Sequence, residues 1–277
     1  MIKIRSIKDL NPKAIKAAQS VLNDFDFGAE LMRWSVHASH IPWETKYQWN
    51  SHRQIKVFHP SSLGRDCDYQ LYLDLIGAKA VPKIHYSLQC VFDTGTAVEA
   101  QLQYYLHTYA MKQGWVYNSH PKIKSNSSPV AREYVIGGEG DGEGTIALSG
   151  ELVMDCLFEI KTARESAYQR LVDPRKSHKG YIKQMHAYMA CLDLPFGWLI
   201  FINKNVSHIK AFPIFFDHVI WKDITDRLDM IKDAVKRGKQ PAKTVSNYSC
   251  LECKYLEVCG PPIKKRSTPL SGIMRDR

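Results

Sequence analysis

Three side chains near the middle of the chain are of types that can hold a divalent cation against a phosphate. Asp141 lies in the glycine-rich run Gly137-Gly138-Glu139-Gly140-Asp141-Gly142. Glu159 and Lys161 close the apolar run Leu152-Val153-Met154-Asp155-Cys156-Leu157-Phe158, which has strand character. Residues two apart on a strand project to one face, so Glu159 and Lys161 point into one pocket. The stretch 137–161 reads as two strands joined by a turn, with Asp141 on the first and Glu159 and Lys161 on the second. Two carboxylates and an ammonium gathered in this way suit a hard divalent cation beside a phosphate. A plainer reading competes: Glu-x-Lys is a common surface pair at strand ends, and glycine-rich turns commonly mark hairpins. The acidic turn, the buried strand and the Glu-x-Lys fall in register, which favours the metal site.

A second set of chemistry-bearing residues lies near the C-terminus. Cys250, Cys253 and Cys259 form C-x2-C-x5-C in a loop-like segment that ends in Gly260-Pro261-Pro262. A C-x2-C turn brings two sulfurs to one side, where they can bind one metal centre. Three thiolates leave a tetrahedral zinc or a cubane cluster one ligand short. Cys67, flanked by aspartates, is the leading candidate for the fourth, whereas Cys90, Cys156 and Cys191 lie in apolar stretches and read as core residues. Spacing does not separate zinc from iron–sulfur. Either would close a very long loop and stabilise the chain.

Composition bounds the rest. The chain has 277 residues, 44% of them hydrophobic, enough for one large or two small domains with a full core. The net charge of +10 leans toward a polyanionic partner, most simply nucleic acid. The N-terminal MIKIRSIKDLNPK has no apolar signal region, and FGWLIFI is too short to span a membrane. The seven cysteines therefore read as reduced thiols or ligands, and a cytoplasmic location is expected. No Walker A pattern occurs, so a P-loop motor is not supported.

Around these residues the predicted elements run as follows. Residues 12–24 form a helix opened by Asn11-Pro12, and a second helix follows near Gly28–His37. The segment from His40 to Ile55 has no clear period. A helix starts at Pro60-Ser61-Ser62 and runs through Cys67 to Leu73. Residues 94–112 form a helix with Val98, Leu102, Tyr105, Leu106 and Tyr109 on one face and Glu99 near its start, where an acid is solvated or favours the dipole. Strands are expected over Trp115–Lys124 and Arg132–Ile136. Arg164, Arg170, Arg175, Lys176, Lys179 and Lys183 stand against only Glu165 and Asp173 in the segment 164–183, part helix and part loop, which suits phosphate-backbone contact. A helix carrying Gln184 and Tyr188 on one face buries Ile182, Met185, Met189 and Leu192. Strands at FGWLIFINK and Phe212–Phe216 and an amphipathic helix over 221–238 complete the order.

Taken together, these residues carry a resemblance. The chain resembles a PD-(D/E)XK nuclease of the RecB-like branch, and within it the iron–sulfur exonucleases that include the CRISPR-associated RecB-like nuclease and related phage exonucleases. Asp141 matches the metal-binding aspartate, Glu159-Ile160-Lys161 the (D/E)-x-K, and Gln184 with Tyr188 the Q-x-x-x-Y. Cys67 with Cys250, Cys253 and Cys259 matches the one-before, three-after cysteine arrangement. The match covers roughly 60–262. It departs from the pattern at Gly140, where the family has proline, and at Glu99, where many members have histidine; Asp155 is a rival to Asp141.

The resemblance implies an α/β, restriction-endonuclease-like core over 60–262, with a mixed central sheet flanked by helices. A partly helical N-terminal extension (1–59) and a basic tail (263–277) would flank it. It implies phosphodiester hydrolysis with Mg2+ or Mn2+ held by Asp141, Glu159, the Ile160 carbonyl and Glu99. Lys161 would orient or deprotonate water and stabilise charge, and Gln184 would position Lys161 or the phosphate. Tyr188 and the basic segment would contact DNA, and a 4Fe-4S cluster, or zinc as the alternative, would sit on the four cysteines. A homo-oligomer or a recombination partner protein fits the class. Against this stand a non-catalytic DNA-binding adaptor on the same fold, a zinc-ribbon nucleic-acid binder, and a sequence-specific endonuclease.

Overall fold

The computed structural model describes residues 2–35, 56–80, 86–173, 178–243, 250 and 253–259. Its centre is a mixed sheet. Strand β6 (Leu152–Ala163) pairs antiparallel with β5 (Gly142–Leu148) and parallel with β7 (Phe196–Asn203), which pairs antiparallel with β8 (Ile209–Phe215). Strand β2 (Val116–Ser119) forms the edge beyond β5, and β1 (Ile2–Ile4) pairs parallel with the start of β6. A separate ribbon joins β3 (Lys122–Ile123) and β4 (Gly138–Glu139). The α/β class with a mixed central sheet flanked by helices is as expected. Among the described residues no helix is long and apolar enough to cross a membrane.

Strand β6 is buried because both faces of the sheet are covered. Its Met154, Cys156, Phe158 and Ile160 enter one core with Trp198, Ile200 and Ile202 of β7. Helices α1 (Pro12–Asn23), α2 (Phe27–Ser35) and α5 (Tyr86–Gln113) cover that side through Ala18, Leu22, Phe27, Leu31, Leu102 and Leu106. Leu157 and Ala163 enter the opposite core with Leu199 and Phe201. There α4 (Asp68–Ile76), α8 (Lys179–Leu192) and α9 (His218–Lys236) supply Leu71, Met185, Met189, Leu228 and Ile231. The strand alternation thus assigns Glu159 and Lys161 to the α8 side. Segment 2–35 is built into this plan: it adds a strand and a helical layer, and Arg5 Nη1 bonds Asp155 Oδ1 at 2.6 Å.

Helix α1 starts at Pro12 as expected, with the Asn11 side chain accepting the Ala14 N–H at 3.0 Å. Several expectations are corrected. Arg132–Ile136 is not a strand: Ser128 caps a short helix α6 (Pro129–Tyr134) with Pro129 at its first position. The helix from Pro60 is broken into α3 (Pro60–Leu63) and α4, and Cys67 is the N-cap residue of α4 and not inside a helix. Gly64 sits at the break, where a Cβ would stand 2.6 Å from Gly180, so α3 and α8 touch backbone to backbone. Helix α5 begins at Tyr86, which moves Glu99 from a helix start to mid-helix and removes the dipole reading. The β5–β6 turn is at Ser149-Gly150, and Asp141 occupies a bend just before β5. Cys90 is exposed, not core, while Cys156 and Cys191 are buried. Ile182 and Leu192 are half-buried. Helix α7 (Glu165–Leu171) lies between β6 and α8. The 40–55 segment, Arg175, Lys176 and the 263–277 tail lie outside the described residues.

Candidate functional site

The site forms where β5 stops pairing with β6. Ladder pairing ends at Gly142 opposite Phe158, so the Ile160 N–H lies beyond the reach of β5. Asp141 Oδ2 accepts that N–H at 2.7 Å. The N–H and C=O of one strand residue point to the same edge, so the Ile160 carbonyl opens on this fork as well. Glu159 is fully buried, and its Oε1 accepts from the Lys161 ammonium and, at 2.6 Å, from Gln184 Nε2 of α8. The bond from Gln184 runs to the carboxylate and not to Lys161. From the other face of the sheet, Gln103 of α5 donates to the Asp141 carbonyl at 3.0 Å and to Glu99 Oε1 at 3.3 Å. Asp141 from a bend and Glu159 and Lys161 from a strand thus meet at this fork, with Glu99 of the helix within electrostatic reach of all three.

The glycines before Asp141 let the chain pass beneath α8. A Cβ on Gly138 would stand 3.1 Å from Pro60 and 3.6 Å from the Tyr188 hydroxyl, and one on Gly140 would stand 3.2 Å from Pro121. The Gly140 N–H donates to the Pro121 carbonyl at 3.0 Å. Proline has no N–H to give, which accounts physically for its absence at the position before Asp141.

Ionising all three carboxyls of the site at once is electrostatically costly. Burial raises the Glu159 pKa, Asp141 raises it further, and Lys161 opposes both. Burial and then Asp141 likewise raise Glu99, with Lys161 opposing. Asp141 is raised by burial against the pull of Lys161 and the Ile160 N–H. Burial alone would lower Lys161, but Glu159 and Asp141 outweigh it, so its pKa is raised. Lys161 is therefore an ammonium, suited to stabilising negative charge and not to taking a proton. The Tyr181 ring lies 5.6 Å from its Nζ. Glu159 Oε2 is buried with no hydrogen-bond partner among the described residues.

Three carboxyls that give up their protons reluctantly beside one ammonium fit a hard cation, which would favour their ionised forms, and oxygen donors are the donor set such a cation takes. In this conformation Asp141 is turned to the Ile160 N–H and Glu159 to Lys161 and Gln184. Among the described residues no three His, Cys, Asp or Glu side chains converge in a ready-made ligand group. Asp155 is not at the fork: Arg5 and Thr145 hold it through bonds of 2.6 Å each.

Tyr188 is not a surface contact. It is 4% exposed, and its hydroxyl donates to the Glu139 carbonyl at 2.7 Å, bracing the chain that leads to Asp141. Arg164, Arg170 and Lys179 are exposed and Lys183 is half-buried, on α7, α8 and the residue before α7. Gln103 and Tyr117 were not singled out from sequence. Tyr117 donates its hydroxyl to the Asp141 carbonyl at 3.4 Å. Gln103 follows Glu99 by four residues on one helix face, a spacing that could have pointed to it.

The cysteine segment docks beside α4. Cys67, Cys250, Cys253 and Cys259 are all half-buried free thiols. The Cys253 N–H donates to the Cys250 carbonyl at 3.2 Å, closing the C-x2-C turn. Burial raises the Cys259 thiol, Lys243 opposes, and Cys67, Cys253 and Cys250 add to the rise, so those three sulfurs lie within electrostatic reach of Cys259. Buried Asp74 of α4 accepts from Lys254 and, at 2.7 Å, from the Tyr255 hydroxyl, which pins this segment to the core.

No protein-family model and no curated protein matches the chain. Among solved structures, it is similar to an alkaline exonuclease (LHK-Exo) from Laribacter hongkongensis, at 15% identity and TM-score 0.47 over 66% of this chain and 90% of that one. The same enzyme in complex with dAMP gives 17% identity and TM-score 0.48 over the same shares. A third structure, SSO0001, is similar at 15% identity and TM-score 0.42, over 85% of this chain and 95% of that one.

Proposed function

We propose that this chain is a Mg2+- or Mn2+-dependent exonuclease that hydrolyses phosphodiester bonds of DNA. The observation that carries the reading is the buried fork itself: Glu159 is fully buried, has one oxygen without a partner, and stands with Asp141 and Glu99 against a single ammonium. A fully buried carboxylate beside two half-buried ones, in excess of their counter-charge, destabilises a fold, so a purely structural role explains the group poorly. The net charge of +10 supports a polyanionic substrate.

In this reading Asp141, Glu159 and the Ile160 carbonyl hold the cation, with Glu99 completing the set. The cation supplies polarisation of the phosphate and a water of lowered pKa. Lys161 stabilises the charge that develops on the phosphoryl oxygens. Gln184 fixes the Glu159 rotamer, and Tyr188 fixes the approach to Asp141. Arg164, Arg170, Lys179 and Lys183 follow the phosphate backbone in a salt-dependent manner, together with Arg175 and Lys176. The four cysteines hold a 4Fe-4S cluster, with zinc as the alternative; the electrostatic reach of the other three sulfurs to Cys259 favours a shared centre.

The test is digestion of end-labelled linear and circular DNA, single- and double-stranded, with and without Mn2+. Loss of linear DNA with circles left intact supports the exonuclease. Nicked circles would make it an endonuclease, and binding without cleavage would make it an adaptor on a nuclease-like core.

A further inference from the structure

Next to the fork lies a groove of ≈ 260 Å³ lined by Ala100, Gln103, Tyr104, His107, Tyr117, Ser119 and His120. The first four recur at i, i+3, i+4 and i+7 and so form one face of α5; Tyr117, Ser119 and His120 come from edge strand β2 and the turn after it. The groove and the fork share a wall. Gln103 and Tyr117 line the groove, and both donate to the Asp141 carbonyl.

The lining chemistry is selective. Four of the seven residues are ring-bearing, and none is a carboxylate, although Asp141 and Glu99 stand just behind. The His107 and Tyr117 rings meet edge-on at 6.4 Å, and Tyr117 meets Phe158 edge-on at 5.5 Å, which fixes the Tyr117 ring. His107, Ser119 and His120 are exposed and Tyr104 is half-exposed, so the rim is open to solvent. His120 Nδ1 lies 3.2 Å from Glu139 Oε1, which orients that imidazole. Pockets for whole small molecules run to roughly 300–1,000 Å³. This groove is smaller, of a size for one flat ring system. Aromatic and imidazole faces take any nucleobase by stacking, and the Ser119 hydroxyl and the imidazole N–H groups at the rim take sugar or phosphate oxygens.

We propose that this groove is a nucleobase subsite, which stacks the base of a nucleotide flanking the bond to be cut and accepts it only when that nucleotide is unpaired. The inference rests on the nuclease reading for the identity of the neighbouring site. A base in this groove is anchored next to the Asp141 backbone, so its own phosphate reaches the fork. The subsite reads no sequence, because every base has a stacking face.

The test compares the wild-type chain, Tyr104→Phe, His107→Ala and the Tyr104→Ala/His107→Ala double variant on oligothymidylate. Each oligonucleotide is intact or carries an abasic site at one of the two nucleotides flanking the cleaved linkage. The double variant is expected to raise KM roughly tenfold, the scale of one lost base stack, and to leave kcat within about twofold. Tyr104→Phe keeps the wild-type KM. One of the two abasic positions raises the wild-type KM by the same factor and erases the difference between wild type and double variant. Turnover of bis(p-nitrophenyl) phosphate, which has no nucleobase, is the same in all four proteins. An unchanged KM in the double variant, or a difference that persists at both abasic positions, overturns the subsite and leaves the nuclease reading standing. If the wild-type chain cuts no phosphodiester, the nuclease reading fails, and fluorescence anisotropy with the same oligonucleotides decides the groove. Tenfold weaker binding by the double variant then sustains it; equal affinity overturns it.

Discussion

Asp141 and Ile160 are joined by a hydrogen bond at 2.7 Å from the Ile160 N–H to the Asp141 carboxylate, two residues past the last β5–β6 ladder pair on the β6 side. The bond satisfies a backbone donor that the strand ending would orphan, and it brings a carboxylate into a site already crowded with carboxyls. Asp141→Asn separates the two roles, because the amide oxygen still accepts the N–H while the charge is gone. In metal-free buffer the variant is expected to melt higher, by about 2–4 °C for each kcal/mol of repulsion relieved. Mn2+ is expected to raise the melting temperature of the wild-type chain and to raise that of Asp141→Asn much less. Equal shifts with Mn2+ in both proteins would take Asp141 out of the cation site.

Among the described residues Lys161 is the only cation bonded to Glu159, and its raised pKa keeps it an ammonium. Lys161→Ala is expected to reduce metal-dependent cleavage by roughly 100- to 1,000-fold, the effect of losing one donor aimed at developing charge. DNA binding in the same variant should stay measurable by filter retention, because the exposed Arg164, Arg170 and Lys179 are untouched.

Gln184 reaches across from α8 to a carboxylate that is fully buried. Gln184→Leu removes a hydrogen bond to a charged group without opening a large cavity. The expected loss is about 1.5–3 kcal/mol, read as a lower urea midpoint at unchanged slope. Added Mn2+ should recover part of that loss if the cation takes over the Glu159 oxygen.

How far the site was legible follows from which signals are local. Glu159 and Lys161 could be read because strand alternation is a two-residue rule, and β6 is a strand of twelve residues that opens on a largely apolar run packed into both cores. Gln184 was legible as a type and spacing, but its partner was not: only the packing of α8 on the α4 side of the sheet decides that it meets Glu159. The fork was invisible for the same reason, since it depends on where β5 stops pairing. Helix α6 was misread because Tyr134 and Val135 have strand preference, while the Ser128-Pro129 start signal was passed over. The depth of Glu99 depends on a helix start at Tyr86, ahead of Thr94 and Gly95, residues that look like a boundary. Tyr188 could not be told from a surface tyrosine, because its burial comes from the Gly138–Gly140 passage beneath it.

His186 gives a pH dependence of stability that is independent of the fork. Its Nδ1 lies 2.7 Å from the Ile182 carbonyl, and its Nε2 accepts the Asp217 N–H at 3.0 Å, so the ring is neutral with the proton on Nδ1. Burial holds its pKa below the ordinary 6.5, against the Ile182 bond and the Asp217 charge. The unfolded chain then binds the proton first as pH falls. The stability from His186 is complete above about pH 6.5 and is lost as pH drops toward the lower folded value, with a slope of at most about 1.4 kcal/mol per pH unit. Urea midpoints at pH 7.5 and 5.5 should differ more for the wild-type chain than for His186→Gln; equal differences would remove the assignment.

Asp74 holds the cysteine segment from below. It lies on α4, whose N-cap residue is Cys67, and it accepts from both Lys254 and Tyr255, the two residues after Cys253. The same carboxylate therefore ties the upstream cysteine's helix to the downstream cysteine turn. Its side chain is only 4% exposed, so it is a buried charge with one ammonium and one hydroxyl as partners. Removing one partner of such a pair typically costs about 3–5 kcal/mol, whereas loss of a single hydrogen bond to a charged group costs about 1.5–3 kcal/mol. Asp74→Ala is accordingly expected to destabilise the chain more than Tyr255→Phe does. It should also lower the iron or zinc recovered per chain. Tyr255→Phe keeps the Lys254 pair and should keep most of the metal. Full metal content and wild-type stability in Asp74→Ala would show that the four thiols are held together by something other than this carboxylate.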